Sequence, residues 1–179
     1  MGINEKKEIL RLDEKNHVEE PLLKQLESLP GISWIVMRLQ IGHGQVADQT
    51  QRESLEQVLM RKDLEEALRR INPWMQENQV FEAYAAISSF EGDDLFKNNN
   101  QVLDFLLRGI KLQWETSEGI KEDTAKYIDF DHPENNRFVA VSQMKIRVIG
   151  TERHLYPDII CFVNGIPICV IECKSPHAK

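Results

Sequence analysis

The sequence predicts one domain of mixed α and β structure, in the α/β (α+β mixed) class. Apolar residues recur at helical spacing through much of the first two thirds of the chain, and after Gly109 the pattern changes to strand-like alternation. The 179 residues are close to one typical domain and long enough to form a core. With 41% hydrophobic and 28% charged residues, the composition is that of a globular protein.

The N-terminal segment differs from the rest of the chain. Residues 1–14 are charged, with only scattered Ile and Leu, and are predicted to be a mobile arm before a domain that spans residues 15–179. The sequence contains no run of about 18 apolar residues, and the N-terminus lacks the apolar core of a signal peptide. We therefore expect a soluble, cytoplasmic protein that makes no contact with a membrane.

The first predicted elements are a helix over residues 18–29 and a strand over residues 32–39. Pro21 must lie in the first turn of the helix, because deeper in the helix its ring would clash with a preceding carbonyl. Glu19 and Glu20 therefore lie at the helix N-terminus, where the helix dipole favours anions.

A helical block is predicted to follow. Helical segments over residues 54–71, 76–89 and 93–108 would form an insertion of about residues 51–108 between the first helix and strand and the later strands. Alternation then predicts one long strand over residues 138–149.

The end of the chain carries the candidate chemistry. Residues 156–174 form two apolar strand candidates that contain Asp158, Glu172 and Lys174, and burying such charges is costly unless they bind something. Residues two apart share a strand face, so Glu172 and Lys174 point together. Asp158 and Glu172 offer hard oxygen ligands for Mg²⁺, and Lys174 can hold a nucleophile, as phosphodiester hydrolysis requires.

The turn between these strands sets a condition on the site. The Asn-Gly pair at residues 164–165 is a strong signal for a two-residue hairpin. Ideal pairing across it would place Asp158 opposite Ile171, on the face away from Glu172. The metal site therefore requires one extra residue, and we predict a departure from ideal pairing within residues 163–168.

Three other features have alternative interpretations. The cysteines Cys161, Cys169 and Cys173 form no C-x-x-C pair and are expected to be buried and reduced. Lone histidines in loops are expected to be solvated. The net charge of -7 disfavours nucleic acid, yet residues 137–179 carry six Lys or Arg against three acids. Lys145 and Arg147 are either a solvated face or phosphate contacts.

Several stretches together resemble a known family. Pro157-Asp158, thirteen further residues and Glu172-x-Lys174 resemble the PD-(D/E)-x-K nuclease signature. The surrounding sequence resembles the N-terminal nuclease region of the restriction (R) subunit of type I restriction-modification enzymes. The stretches that carry this resemblance are residues 68–73, 128–138 and 162–167.

The resemblance implies a restriction-endonuclease-like core, with a central mixed sheet flanked by helices. In it Asp158 matches the first metal-binding acid, Glu172 the second metal-binding acid and Lys174 the catalytic lysine. Glu19 matches an acid on the helix that precedes the nuclease strands, with Glu20 as the alternative. The implied cofactor is Mg²⁺, and ATP is expected only in motor domains.

The implied function is that of a DNA-cleaving endonuclease domain, coupled in the full subunit to ATP-driven translocation. Its implied partners are double-stranded DNA and the modification and specificity subunits. The Gln-x-x-x-Tyr element and the Walker loop of the family do not follow the Glu-x-Lys strand. We therefore expect a chain truncated before the motor domains, with little cutting alone. The alternatives are a catalytically silent docking or DNA-guiding module and a stand-alone nuclease.

Overall fold

The computed structural model describes residues 15–41, 44–89 and 94–174, so the predicted arm over residues 1–14 lies outside it. The helices are α1 (Glu20–Glu27), α2 (Arg61–Ile71), α3 (Glu77–Ser88) and α4 (Leu95–Arg108). The strands are β1 (Trp34–Arg38), β2 (Ile110–Thr116), β3 (Gly119–Ala125), β4 (Phe138–Ser142), β5 (Ile146–Arg147), β6 (His154–Leu155), β7 (Ile159–Val163) and β8 (Ile166–Ile171). One π-helical turn (Lys15–Glu19) precedes α1, and short 3₁₀ turns cover Ala47–Thr50 and Pro133–Asn135.

The central sheet has four strands in the order β1-β4-β7-β8. Strand β1 runs parallel to β4, whereas the β4-β7 and β7-β8 pairs are antiparallel, so the sheet is mixed as predicted. Helices α2, α3 and α4 lie between β1 and β4 in chain order, together with the separate β2-β3 hairpin. Within the described residues, no helix is both long and apolar enough to cross a membrane.

The two central strands are covered on both faces, which explains why they are almost entirely apolar. All five residues of β7 are buried. One face packs with α1, in a cluster of Leu23, Ala140, Ile159, Cys161 and Cys173. The other face packs with the residue before α2, in a cluster of Met60, Val139, Val141, Met144, Ile160 and Phe162. A third cluster joins α2 and α3 to the β2-β3 hairpin.

Most helix predictions are confirmed, but the one over residues 54–71 is wrong in its first part, because α2 begins only at Arg61. The preceding segment is held by the buried guanidinium of Arg52. That group donates to the Thr50 hydroxyl at 2.7 Å and to the backbone carbonyls of Gln57 and Lys145 at 2.9 Å each. These three side-chain bonds hold the segment around Arg52 in a conformation that is not helical.

The predicted long strand over residues 138–149 is also wrong. Strand β4 ends at Ser142 because Gln143 has a φ of 55°, in the left-handed region that breaks a ladder. This residue also shifts the alternation of faces. Met144, expected on the face opposite Val139 and Val141, is fully buried in the same cluster as both.

Candidate functional site

The hairpin that joins β7 to β8 contains the predicted irregularity. Its turn residues Asn164 and Gly165 have φ of 52° and 78°, as a two-residue turn of this kind requires. Pairing starts with Val163 opposite Ile166 and Phe162 opposite Pro167, and continues with Cys161 opposite Cys169. Ile168 is therefore the extra residue of a β-bulge, and the predicted departure from ideal pairing is confirmed.

The bulge sets the relation between the two acids at the end of the hairpin. Ile159 and Ile171 form the last pair of the ladder, and Asp158 and Glu172 are the residues next to that pair on the two chain segments. The Cys173 N–H donates to Asp158 Oδ2 at 2.7 Å, which extends the contact between the two chain segments.

The exposure of the three hairpin residues differs from the prediction. Glu172 and Lys174 are exposed and Asp158 is half-buried, so the expectation of three buried charges is wrong. The physical reason is the position of β8 at the edge of the sheet, where its outer residues such as Val170 remain 58% exposed. The open edge leaves Glu172 and Lys174 accessible to an approaching substrate.

Glu19 approaches the hairpin from a different part of the chain. It ends the π-helical turn, is only 4% exposed, and accepts a hydrogen bond at Oε2 from Gln143 Nε2 at 3.0 Å. The same Gln143 nitrogen donates to Asp158 Oδ1 at 3.1 Å. One amide nitrogen therefore bridges two carboxylates that are 139 positions apart in sequence.

The structure distinguishes the two glutamates left open by the sequence. Glu20 accepts hydrogen bonds from Arg38 at 3.1 Å, and Arg38 also binds Glu27 at 2.8 Å. The hydrogen bond from Arg38 lowers the pKa of the Glu20 carboxyl below its usual value. Because Glu20 belongs to this surface ion-pair network, Glu19 is the acid that reaches Asp158.

Two glutamines at this site were not identified from sequence. Gln143 donates its backbone N–H to the Asp158 carbonyl at 3.0 Å, and its own carbonyl accepts from Gln45 Nε2 at 2.9 Å. Gln45 Oε1 in turn accepts from the Lys145 N–H at 2.9 Å. The alternation gave no signal for Gln143, because it placed this residue on the face of Val139 and Val141, which Met144 occupies instead.

The carboxylates of Glu19 and Asp158 face a surface cleft of about 380 Å³. The other residues that line this cleft are Lys15, Gln40, Ile41 and Gln143. A water molecule takes up about 30 Å³ in the liquid, so the cleft has room for a hydrated ion. The lining thus contains two carboxylates, which attract cations, and the amine of Lys15, which attracts phosphate.

Two carboxylates of the site are oxygen donors of the kind that Mg²⁺ binds. This ion is typically held by one or two carboxylates and keeps several waters or takes substrate phosphate oxygens. Glu19 and Asp158 supply two converging carboxylates, and Glu172 directly follows Ile171, the last residue of β8. In the residues that the structure describes, no group of three or more His, Cys, Asp or Glu is arranged to hold a metal.

The remaining sequence candidates lie elsewhere or have other partners. Arg147 binds Glu152 at 2.6 Å and lies 3.7 Å from Glu56, so its charge is shared with surface acids. Cys161 and Cys173 are buried as expected, and burial raises the pKa of the Cys161 thiol to about 11. Cys169 is exposed, contrary to expectation, because it lies on the edge strand β8.

Comparison with known proteins gives consistent matches. The sequence model of the family described as type I restriction enzyme R protein N terminus matches residues 11–179. A protein named as the MjaIXP endonuclease subunit of a type I restriction enzyme, from Methanocaldococcus jannaschii, is 28% identical over 180 positions, covering 100% of this chain and 17% of the relative. The type I restriction enzyme HindI endonuclease subunit of Haemophilus influenzae is 32% identical over 162 residues, covering 90% of this chain and 15% of the relative. The chain thus spans about a sixth of the length of these curated relatives.

Proposed function

We propose a function from one premise: the chain belongs to the family of type I restriction enzyme R protein N termini. The chain acts as the DNA-cleaving endonuclease domain of an R subunit and hydrolyses phosphodiester bonds of double-stranded DNA with the help of Mg²⁺. Its relatives are named as endonuclease subunits, which supports this assignment. We further propose a core of the PD-(D/E)-x-K type, built on the mixed sheet.

The observation that carries the proposal is the convergence of acids at one end of the hairpin. The carboxylates of Glu19 and Asp158 both lie within 3.1 Å of the Gln143 amide nitrogen. The bulge at Ile168 sets the pairing of Ile159 with Ile171, and Asp158 and Glu172 are the residues next to this last pair. A purely structural salt bridge would explain neither the bulge nor the approach of two acids to each other.

The roles of the residues follow from their chemistry. A bound Mg²⁺ polarises the phosphate and lowers the pKa of water. Asp158 and Glu172 would hold this ion through carboxylate oxygens, and Glu19, which shares the Gln143 amide nitrogen with Asp158, adds negative charge next to Asp158. Lys174 is exposed two residues after Glu172, where its ammonium group orients the attacking water and offsets the charge that develops on the phosphate.

DNA cleavage by this chain is coupled to activities of other parts of the complete R subunit. Because this chain spans about a sixth of its relatives, we assign ATP binding and DNA translocation to parts of the subunit outside it. The modification and specificity subunits are the proposed partners of the complete R subunit. The net charge of -7 gives the chain little affinity of its own for DNA, which is consistent with delivery of DNA by such partners.

The experiment is plasmid cleavage by the assembled restriction complex whose R subunit contains this chain. Asp158→Ala and Lys174→Ala are expected to reduce double-strand cutting at least about 100-fold, as loss of one group that stabilises transition-state charge does. ATP hydrolysis by the same assembly should stay unchanged. Glu20→Ala removes a carboxylate one residue from Glu19 but outside the cluster, and serves as the matched control. Cutting at the wild-type rate by both Asp158→Ala and Lys174→Ala would reject the assignment.

A second candidate is a catalytically silent domain that docks or guides DNA. The supporting observation is that Gln143 donates hydrogen bonds to both Glu19 and Asp158. Each carboxylate therefore already has a neutral partner and does not need a metal ion. Titration calorimetry with Mn²⁺ separates the candidates. Uptake that disappears in Asp158→Asn supports the nuclease, whereas no uptake by the wild-type protein supports the silent domain.

A further inference from the structure

We propose that the side-chain amide of Gln143 occupies the cation position between Glu19 and Asp158, so that a divalent cation binds by displacing it. Gln143 is then a positioning residue that keeps two acids together while the ion is absent. This inference rests on the proposed metal site and adds a residue that controls its occupancy.

The geometry of the amide group supports this role. Nε2 of Gln143 lies 3.0 Å from Glu19 Oε2 and 3.1 Å from Asp158 Oδ1, so it donates to two carboxylates at once. Gln143 is 7% exposed and Glu19 is 4% exposed, so water screens the charge of the Glu19 carboxylate poorly. Two carboxylates in such surroundings repel each other unless positive charge lies between them. The N–H₂ group supplies only a partial positive charge, which a divalent cation exceeds.

The backbone of Gln143 is fixed in an unusual conformation. Its φ of 55° lies in the left-handed region, which a glutamine rarely adopts. Two bonds hold it there: its N–H donates to the Asp158 carbonyl, and its carbonyl accepts from Gln45. Strained conformations that the surroundings enforce are concentrated at functional sites. Here the strained backbone aims the side chain at the two acids.

The proposal predicts the direction of a change in metal affinity. If the amide competes with the cation, shortening the side chain removes the competitor and leaves two acids without their donor. The metal-free protein becomes less stable, and the metal-bound protein is affected less. The dissociation constant for Mn²⁺ should therefore fall about tenfold, which is equivalent to about 1.4 kcal/mol. If instead the Gln143 oxygen were a ligand of the ion, the same change would weaken binding.

The test uses Gln143→Asn in the 179-residue chain. Asparagine tolerates the left-handed conformation but is one methylene too short to reach both acids. Titration calorimetry gives the affinity for Mn²⁺, and thermal unfolding in EDTA gives the stability of the metal-free protein. We expect tighter binding, a lower melting temperature in EDTA and a larger rise in melting temperature on adding Mn²⁺. Gln51→Asn, the same truncation at another glutamine with left-handed φ (56°) outside the cleft, is the matched control and should leave the affinity for Mn²⁺ unchanged.

The outcomes separate this inference from the proposed metal site. Unchanged or weaker Mn²⁺ binding by Gln143→Asn, with uptake by the wild type that depends on Asp158, would overturn the inference alone. No such uptake by the wild type would overturn the metal site and the inference together. If circular dichroism shows that Gln143→Asn is unfolded, Gln143→Gly replaces it, because glycine adopts this φ without strain and also removes the amide.

Discussion

Replacing Asn164 with alanine is expected to destabilise the hairpin that carries Asp158. Asn164 is fully buried and its backbone is in the left-handed conformation, with φ of 52°. Its Oδ1 accepts from the Arg137 N–H at 2.8 Å, and its Nδ2 donates to the Tyr127 carbonyl at 2.9 Å and to Asn136 Oδ1 at 2.8 Å. The side chain thereby ties the turn to two segments outside the hairpin.

The magnitude follows from the groups that the substitution leaves behind. The Arg137 N–H and the Tyr127 carbonyl would each lose a partner in or near the core, at a cost of about 1–3 kcal/mol per group. Alanine in the left-handed conformation adds about 1 kcal/mol. The expected loss is therefore about 3–7 kcal/mol, out of a total stability of about 5–15 kcal/mol for a typical domain.

Urea denaturation followed by circular dichroism measures this loss. Asn164→Gly is the control, because it removes the same hydrogen bonds but tolerates the left-handed conformation. It should recover only about 1 kcal/mol relative to alanine. A loss of less than about 1 kcal/mol in both variants would show that the hydrogen bonds of Asn164 contribute nothing to stability.

Three further predictions concern other parts of the chain. Gly165→Ala should lower the melting temperature strongly, because at φ of +78° its Cβ would collide with the Met60 carbonyl oxygen and lie 2.9 Å from the Leu64 nitrogen; an unchanged melting temperature would contradict this. Hydrogen bonds, first from the Asn135 side chain, lower the pKa of the Asp129 carboxyl. The stability advantage of wild type over Asp129→Asn should thus be present above about pH 4 and be lost as pH falls through the lowered pKa, a trend that denaturation at several pH values checks. In the plasmid assay, Glu19→Gln should reduce cutting far more than Glu20→Gln, and equal effects would exclude a special role for Glu19.

The sequence predicts the features that depend on residues close to one another in the chain. The Asn-Gly turn at residues 164–165 is encoded by two residues that accept positive φ, and the structure confirms it. The bulge at Ile168 could be predicted because only an extra residue brings Asp158 and Glu172 to the same face. The first-turn position of Pro21 followed from its ring alone, and it is also confirmed.

The errors arise where contacts between distant segments override the local pattern. The alternation over residues 138–149 contains no signal for a break, because the conformation of Gln143 depends on Gln45 and Asp158, which lie far away in sequence. The late start of α2 likewise depends on where the buried guanidinium of Arg52 finds its acceptors. The exposure of Glu172 could be predicted only from the order of the strands in the sheet, in which β8 lies at the edge. The local alternation of the sequence does not reveal this order.

A calorimetric titration of the chain with Mn²⁺ tests the metal site at the end of the β7-β8 hairpin. We expect uptake by the wild type, loss of uptake in Asp158→Asn, and clearly weaker uptake in Glu172→Gln. Glu20→Gln, whose carboxylate binds Arg38 on the surface, should leave the titration unchanged. Mn²⁺ binding that is equal in the wild type and in Asp158→Asn would show that Asp158 is not a metal ligand.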